Sequence, residues 1–187
     1  MTSTVETVSD LIDRLSIRDQ CPAMLAIDGA LGSGKTTLAE ALVDSIGGRI
    51  VHLDDYVTPD SGAYVANIRQ DDLLATLSPG QRPIVVEGVC ILHALAMIDT
   101  SPDALIYVKH VGSNGIWLDE EECDAPGSPA TIIADLDAQV RAFESAVADL
   151  GRPDPQGLTW LRQEVIWYHH EYGPHSKAEI VFRNTTA

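Results

Sequence analysis

The residues best suited to chemistry lie in segment 29–36, which reads Gly-Ala-Leu-Gly-Ser-Gly-Lys-Thr and fits the pattern G-x-x-x-x-G-K-[ST]. Its glycines allow a loop to wrap closely around an oxyanion and to point successive backbone N–H groups at it. Lys35 adds a cation that can reach the β- and γ-phosphates of a nucleotide, and the hydroxyl of Thr36 can ligate Mg²⁺. The pattern therefore predicts an ATP site formed by Gly29, Ala30, Leu31, Gly32, Ser33, Gly34, Lys35, Thr36 and Thr37. We expect Lys35 to face solvent in the free protein.

Two acidic residues follow other short apolar runs. Asp54 comes directly after the run 49–53, and Glu87 ends the run 83–87. Open α/β sheets bind their ligands beyond the carboxyl ends of the strands, so we expect both carboxylates at the edge that carries segment 29–36. A bare Asp-Asp pair such as Asp54 and Asp55 is also typical of a turn cap, and this alternative stays open.

The elements that must position these residues alternate along the chain. Apolar runs predict strands at residues 23–28, 49–53, 83–88, 104–109 and 179–183. Helical spacing predicts helices at residues 4–18, 35–46, 71–77, 89–97, 132–150 and 161–172. Because parallel strands need crossover connections, this order predicts an α/β fold with three layers, in which helices cover both faces of a central five-stranded parallel sheet. The length of 187 residues favours a single domain that spans residues 1–187.

Charge and cysteine usage limit the classes of partner. The chain has 12 Lys and Arg against 28 Asp and Glu, so its net charge of −16 would repel nucleic acid and anionic lipid. Its three cysteines form no C-x-x-C pair, and an odd number leaves one unpaired, which favours a reducing compartment. No apolar run approaches the ~20 residues of a membrane span. We expect a cytoplasmic protein without nucleic-acid or membrane partners.

Three motifs in this order resemble those of uridine kinase and nicotinamide riboside kinase, members of the uridine kinase and phosphoribulokinase group. They are segment 27–39, which contains the glycine-rich pattern, His-Leu-Asp-Asp-Tyr at 52–56, and Ile-Val-Val-Glu-Gly-Val at 84–89. Segment 168–181 is similar to the last helix and strand of that family. The resemblance implies a P-loop NTPase fold and ATP-dependent phosphoryl transfer to a hydroxyl group of a small nucleoside-like acceptor.

The resemblance also implies roles for single residues. By position Asp54 is the base that accepts the proton of the acceptor hydroxyl, and Lys35 acts on the phosphates. Glu87 lies in the neighbourhood of a hydrated Mg²⁺ that Thr36 also ligates. Tyr56 is placed to stack on an acceptor ring, although an aromatic residue just after a strand is as often a packing residue.

Segment 111–130 departs from the family pattern. Family members usually carry several arginines in a lid at this place, whereas segment 111–130 contains neither Arg nor Lys. We expect a mobile lid or a solvated acidic loop here, with Arg141, Arg152 or Arg162 as the nearest replacement cations. Arg69 lies in the right region to touch a polar acceptor, although an exposed arginine there is more often solvated surface. A protein that binds ATP without transferring phosphate, and acts as a regulator or a partner-binding module, is the alternative. The oligomeric state stays open, with a homodimer as one option.

Overall fold

Parallel strands form the central layer of the molecule. The computed structural model describes residues 2–16, 22–58, 62–78, 83–148 and 156–185. Within these ranges one sheet has the strand order β1-β6-β5-β2-β4-β3, and every neighbouring pair is parallel. Its strands are β1 (Ser3–Val5), β2 (Met24–Gly29), β3 (Arg49–His52), β4 (Ile84–Glu87), β5 (Ala104–Val111) and β6 (Ile180–Thr185).

Helices cover both faces of the sheet. The helices are α1 (Val8–Ser16), α2 (Lys35–Ile46), α3 (Gln70–Leu77), α4 (Ile91–Met97), α5 (Glu120–Cys123), α6 (Pro129–Ala148), α7 (Trp160–Tyr172) and α8 (Pro174–Lys177). Leu11 of α1 and Leu42 of α2 pack in a core on one face, and Leu73, Ile91 and Val165 pack in a second core on the other face. This arrangement confirms the predicted α/β fold with three layers.

The predicted number of strands was wrong, because the sheet has six strands and not five. The additional strand is β1, which lay mostly inside the predicted helix 4–18. Its Val5 is buried beside Phe182 of β6, and the backbone N–H of Ser3 donates to the carbonyl of Glu179 at 2.9 Å. Helix α1 starts only after Thr7, whose Oγ1 accepts a hydrogen bond from the N–H of Asp10 at 3.1 Å. Three residues are too few to show the two-residue period of a strand.

Several element ends also differ from the predicted ones. Strands β5 and β6 each continue two residues farther at their carboxyl ends than predicted, and α6 begins at Pro129 instead of 132. The ends of two predicted helices, at residues 17–18 and 149–150, lie outside the described residues, as do Cys21 and Arg152. No helix of the described part combines the length and the apolar composition that crossing a membrane requires.

The strand order brings the predicted chemistry to one edge of the sheet. Strand β2 lies between β4 and β5, so the chain moves to one side of β2 for β3 and β4 and then crosses to the other side for β5. Such a reversal opens a crevice at the carboxyl ends of the strands, where ligands bind in open α/β sheets. Glu87, at the end of β4, is in register with both Ile27 of β2 and His52 of β3.

Candidate functional site

Segment 29–36, the phosphate loop, joins the end of β2 to the start of α2. Gly34 has a φ of 94°, a left-handed conformation that favours glycine, and a Cβ atom there would lie 2.3 Å from Nδ2 of Asn184, whose amide would have to move. The Asn184 amide donates to the carbonyl of Ser33 at 2.8 Å, which ties the loop to the end of β6. The first N–H groups of α2 have no intrahelical partners and carry the positive end of the helix dipole.

Lys35 is buried in the phosphate loop, so the expectation that it faces solvent was wrong. Its side chain is 8% exposed, and Nζ donates to the carbonyl of Ala30 at 2.6 Å. Burial lowers the pKa of Lys35, and the carboxylates of Asp28, Glu87, Asp54 and Asp119 act in the opposite direction. The ammonium group is therefore held inside the loop by a local acceptor before any ligand arrives.

Glu87 connects the phosphate loop to the neighbouring strands. Glu87 is 6% exposed, and its Oε1 accepts a hydrogen bond from the hydroxyl of Thr36 at 3.2 Å and lies 2.6 Å from Nδ1 of His52. A carboxylate beside a hydroxyl supplies the oxygen ligands that Mg²⁺ prefers. In the described residues no group of three or more His, Cys, Asp and Glu side chains is arranged to hold a metal ion. A cation at Thr36 and Glu87 would therefore need oxygen atoms from a ligand.

Asp54 lies in a short 3-10 turn, Leu53–Tyr56, that follows β3. Its Oδ1 accepts a hydrogen bond from the hydroxyl of Tyr64, a residue 5% exposed. Burial raises the pKa of Tyr64, and so does the hydrogen bond to Asp54, which means that the phenol stays protonated and remains a donor. Sequence analysis missed Tyr64 because it lies in an irregular loop with no pattern around it.

One cavity of about 430 Å³ brings these groups together. Lys35 and Thr36 come from the phosphate loop, Glu87 ends β4, and Asp54 follows the neighbouring strand β3. Among the described residues that line the cavity, Lys35 is the only cation. The lining consists of Leu31, Gly32, Lys35, Thr36, Asp54, Val57, Thr58, Tyr64, Glu87, Gly88, Val89, Trp160 and Leu161.

Other predicted site residues have partners elsewhere and are not part of this lining. The Tyr56 hydroxyl donates to Oγ1 of Thr76 at 2.9 Å, which agrees with a packing residue. Arg69 donates to Asp72 at 2.8 Å and to the carbonyl of Asp55 at 2.7 Å.

The two candidate lid arginines also have acidic partners. Arg141 in α6 donates to Oδ2 of Asp137 at 2.7 Å and to the carbonyl of Gln156 at 3.2 Å. Nε of Arg162 in α7 donates to Oε1 of Glu122 at 3.1 Å. Of the two, Arg162 is the one bound to segment 111–130, and its charge is already paired with the acidic run of that segment.

Segment 111–130 has more fixed structure than the sequence indicates. Trp117 is 8% exposed and forms a backbone bridge with Val111, and Nζ of Lys109 lies 3.7 Å from the centre of its indole ring. Burial raises the pKa of Asp119, and the charges of His110 and Lys35 act in the opposite direction. The Asp119 carboxylate in turn acts electrostatically on Lys35 of the phosphate loop. The mobility of the segment stays a prediction.

A buried polar group that the sequence analysis did not select lies just before the phosphate loop. Asp28 is fully buried, and its carboxylate accepts hydrogen bonds from the hydroxyl of Tyr168 in α7 and from the N–H of Gly29 at 2.7 Å. Burial raises the pKa of Asp28 to about 6, and the two hydrogen bonds only partly oppose this shift. Helix α7 is thus fastened to the residue just before the phosphate loop.

The comparisons with known proteins give matches among solved structures. Family models and curated proteins give no match. Among solved structures, a possible uridine kinase from Bacillus stearothermophilus is 15% identical, with a TM-score of 0.49 over 94% of this chain and 96% of that chain. Shikimate kinase from Bacteroides thetaiotaomicron is 16% identical, with a TM-score of 0.41 over 87% and 86%. Deoxyadenosine kinase from M. mycoides is 15% identical, with a TM-score of 0.36 over 86% and 88%.

Proposed function

We propose that the protein is a phosphotransferase that moves the γ-phosphoryl group of ATP to a hydroxyl group of a small, nucleoside-like molecule. One observation carries this proposal. Lys35 and Thr36 of the phosphate loop share a cavity of about 430 Å³ with Asp54, a carboxylate able to act as a base. A protein that only binds ATP would not need a base in this cavity.

The phosphate loop holds the donor. Backbone N–H groups of the loop and of the first turn of α2 surround the β-phosphate, and Lys35 exchanges the carbonyl of Ala30 for the β- and γ-phosphates. Thr36 and Glu87 would hold Mg²⁺ together with phosphate oxygens. When bound, the ion neutralises negative charge on the phosphates. This supply of positive charge matters because the net charge of −16 opposes the binding of any polyanion.

Asp54 acts on the acceptor. The acceptor oxygen forms a bond to the γ-phosphorus, the bond between that phosphorus and the β–γ bridging oxygen breaks, and ADP leaves. The hydroxyl proton passes to the Asp54 carboxylate and from there to solvent. One oxygen of that carboxylate already accepts from Tyr64, and a carboxylate has a second oxygen that can receive the proton.

The walls of the cavity indicate the kind of acceptor. Val57, Val89 and Leu161 give apolar surface, and Trp160 at the start of α7 gives an aromatic face that is 45% exposed. Lys35 is needed for the phosphates of ATP, so the described lining offers no second cation for an anionic acceptor. An uncharged molecule with a flat ring and a free hydroxyl group fits these walls.

Segment 111–130 favours the second candidate function, ATP binding without transfer. The segment has no Arg or Lys, and the nearest described arginine, Arg162, is paired with Glu122. Loss of an arginine that stabilises the transition state can slow transfer about 10³-fold or more. A regulator that binds ATP would tolerate this loss.

A panel of acceptors distinguishes the two functions. The protein is incubated with Mg-ATP and one member each of the nucleosides, ring-bearing vitamins, sugars and hydroxy acids, and ADP release is measured. A phosphotransferase releases ADP far faster with one neutral ring-bearing alcohol than without acceptor. ATP binding measured by calorimetry, together with ADP release that no panel member stimulates, would favour the regulator.

A further inference from the structure

Two hydrogen-bonded contacts join Asp54 to helix α7. The first is the hydroxyl of Tyr64, which donates to Oδ1 of Asp54. The second is the carboxylate of Glu164 in α7, whose Oε2 accepts from the N–H of Tyr64 at 2.7 Å and whose Oε1 accepts from the N–H of Val65 at 2.9 Å. Asp54 and Glu164 are far apart in sequence, and Tyr64 connects them through its side chain at one end and its backbone at the other.

The position of the Tyr64 ring explains why its hydroxyl reaches this carboxylate. The ring is buried above the end of β4, where a Cβ atom on Gly88 would lie 3.5 Å from the Tyr64 hydroxyl. Asp54 and Glu87 both lie close enough to affect the phenol, whose single hydrogen goes to Asp54. A phenol has only one hydrogen to donate, so this bond fixes one of the two carboxylate oxygens of Asp54.

The anchor of Tyr64 belongs to the wall of the same cavity. Trp160 and Leu161, which line the cavity, lie one turn before Glu164 in α7. Glu164 accepts from two backbone N–H groups at the start of the 3-10 turn Val65–Asn67, and these two bonds hold Tyr64 in place. Helix α7 therefore holds both the acceptor wall and the loop that carries Tyr64.

We infer that Tyr64, held by Glu164, is a positioning residue that orients the Asp54 carboxylate toward the acceptor hydroxyl. This inference rests on the proposed function. Asp54 lies in an exposed turn and would otherwise rotate among several side-chain conformations, few of which point an oxygen at the acceptor. Fixing one oxygen by a hydrogen bond leaves the other in a single direction, and a misplacement of about 1 Å can cost about a hundredfold in rate.

A purely structural role predicts a different pattern of effects. If Tyr64 only filled space, removal of its hydroxyl would change the stability of the fold and leave catalysis intact. If Tyr64 acts through Asp54, removal of the hydroxyl lowers kcat, leaves the KM for ATP unchanged, and has no further effect once Asp54 no longer serves as the base.

Kinetics of six variants, including Asp54→Asn and its combination with Tyr64→Phe, test the inference with the acceptor found in the panel. We expect Tyr64→Phe to lower kcat about tenfold to a hundredfold and Glu164→Gln to lower it less, because Gln keeps one acceptor oxygen. Tyr172→Phe and Glu171→Gln, both at the far end of α7, are the matched controls and should behave as the parent. In the Asp54→Asn background, Tyr64→Phe should cause no further loss. An equal additional loss in that background, or an unchanged kcat in Tyr64→Phe, would overturn the inference.

A second measurement does not depend on activity. NMR of ¹³Cζ-labelled tyrosine follows the ionisation of each phenol, and Tyr64 should stay protonated above the pH at which ordinary tyrosines ionise, because burial and the hydrogen bond to Asp54 raise its pKa. In Asp54→Asn the pKa of Tyr64 should fall, because the carboxylate charge that raises it is gone. A Tyr64 pKa that Asp54→Asn leaves unchanged would overturn the inference even in an active enzyme. Intact coupling in a protein that transfers phosphate to no acceptor would overturn the proposed function and, with it, the catalytic role of Tyr64.

Discussion

The two sides of the cavity are built in opposite ways. On the phosphate side, the groups that act on the ligand come from one continuous segment, residues 29–36, and most of them are backbone N–H groups at a helix start. On the acceptor side, Asp54, Tyr64 and Trp160 come from three separate parts of the chain and act through side chains. Their arrangement depends on the sheet order and on α7.

This difference explains which part of the site a sequence reveals. Phosphate binding by backbone needs glycine at defined positions such as Gly34, whose φ of 94° is rarely adopted by residues with a side chain. A chain that binds phosphate in this way therefore shows the glycine pattern in its sequence. An acceptor site is formed by side chains that many folds can bring together in many ways, so no local sequence pattern predicts it.

The first prediction would break the phosphate side alone. Lys35→Ala should lower kcat/KM for ATP by about a thousandfold or more, because Lys35 is the only cation among the described residues of the cavity. The fold should survive, since the variant removes a buried charge and leaves the carbonyl of Ala30 near the loop N–H groups. Calorimetry with Mg-ATP and thermal unfolding on the same samples provide the check. Unchanged ATP affinity would refute the assignment of the phosphate loop.

The second prediction would break the acceptor side alone. Asp54→Asn should reduce turnover by about a hundredfold or more while ATP affinity stays near that of the parent, because Asn cannot act as the base but still accepts from Tyr64. Asp55→Asn, which changes the neighbouring carboxylate in the same turn, serves as the control and should cost much less. If Asp55→Asn proved the more severe variant, the base would be Asp55.

The same contrast between local and distant contacts explains which strands could be predicted from the sequence. The alternation of apolar runs and helical spacing was sufficient for the parallel sheet with helices on both faces. It was not sufficient for β1, because a three-residue edge strand is defined by its partner β6 and not by its own pattern. The predicted carboxyl ends of β5 and β6 came two residues too early for the same reason.

In the site, Asp54 and Glu87 could be selected because each follows a strand. Tyr64 and Glu164 could not, because their importance arises from contacts between residues a hundred positions apart. The burial of Lys35 could not be predicted from the sequence either. A lysine in a loop suggests an exposed side chain, whereas Lys35 is enclosed by its own loop.

The third prediction sharpens the acceptor side. Trp160→Leu should raise the KM for the acceptor about fivefold to tenfold and leave the KM for ATP unchanged, because the indole face is lost while apolar surface remains. Trp167→Leu is the matched control, since Trp167 is equally exposed on α7 but does not belong to the described lining. Equal effects of the two substitutions would mean that the acceptor does not contact Trp160.

The fourth prediction concerns the connection between the two sides, where α7 contacts Asp28. In the folded protein burial raises the pKa of Asp28 to about 6, against 3.8 for an ordinary Asp. Between these two pH values the Asp28 carboxyl group is protonated in the folded state and ionised in the unfolded state. Asp28 therefore contributes stability below about pH 4 that is lost as the pH rises through 6, by at most about 3 kcal/mol. His169, whose pKa burial lowers to about 4, contributes stability that increases over the same interval.

Because these two contributions oppose each other, we expect them largely to cancel in the parent's free energy of unfolding between about pH 4 and 6. Asp28→Asn should expose the rise due to His169, and His169→Gln should expose the fall due to Asp28. Urea denaturation at several pH values measures each profile. If the difference between parent and Asp28→Asn did not change with pH, the carboxyl group of Asp28 would titrate normally despite its burial.

The most direct test of the central claim, that ATP and an acceptor meet across this cavity, is the fate of the γ-phosphoryl group. The parent protein is given ATP labelled at the γ-phosphate together with Mg²⁺ and the acceptor selected by the panel, and the labelled products are separated. The account predicts label on the acceptor in an amount equal to the ADP formed, and almost none in Asp54→Asn. Label found only in inorganic phosphate, or none transferred although ATP binds, would contradict it.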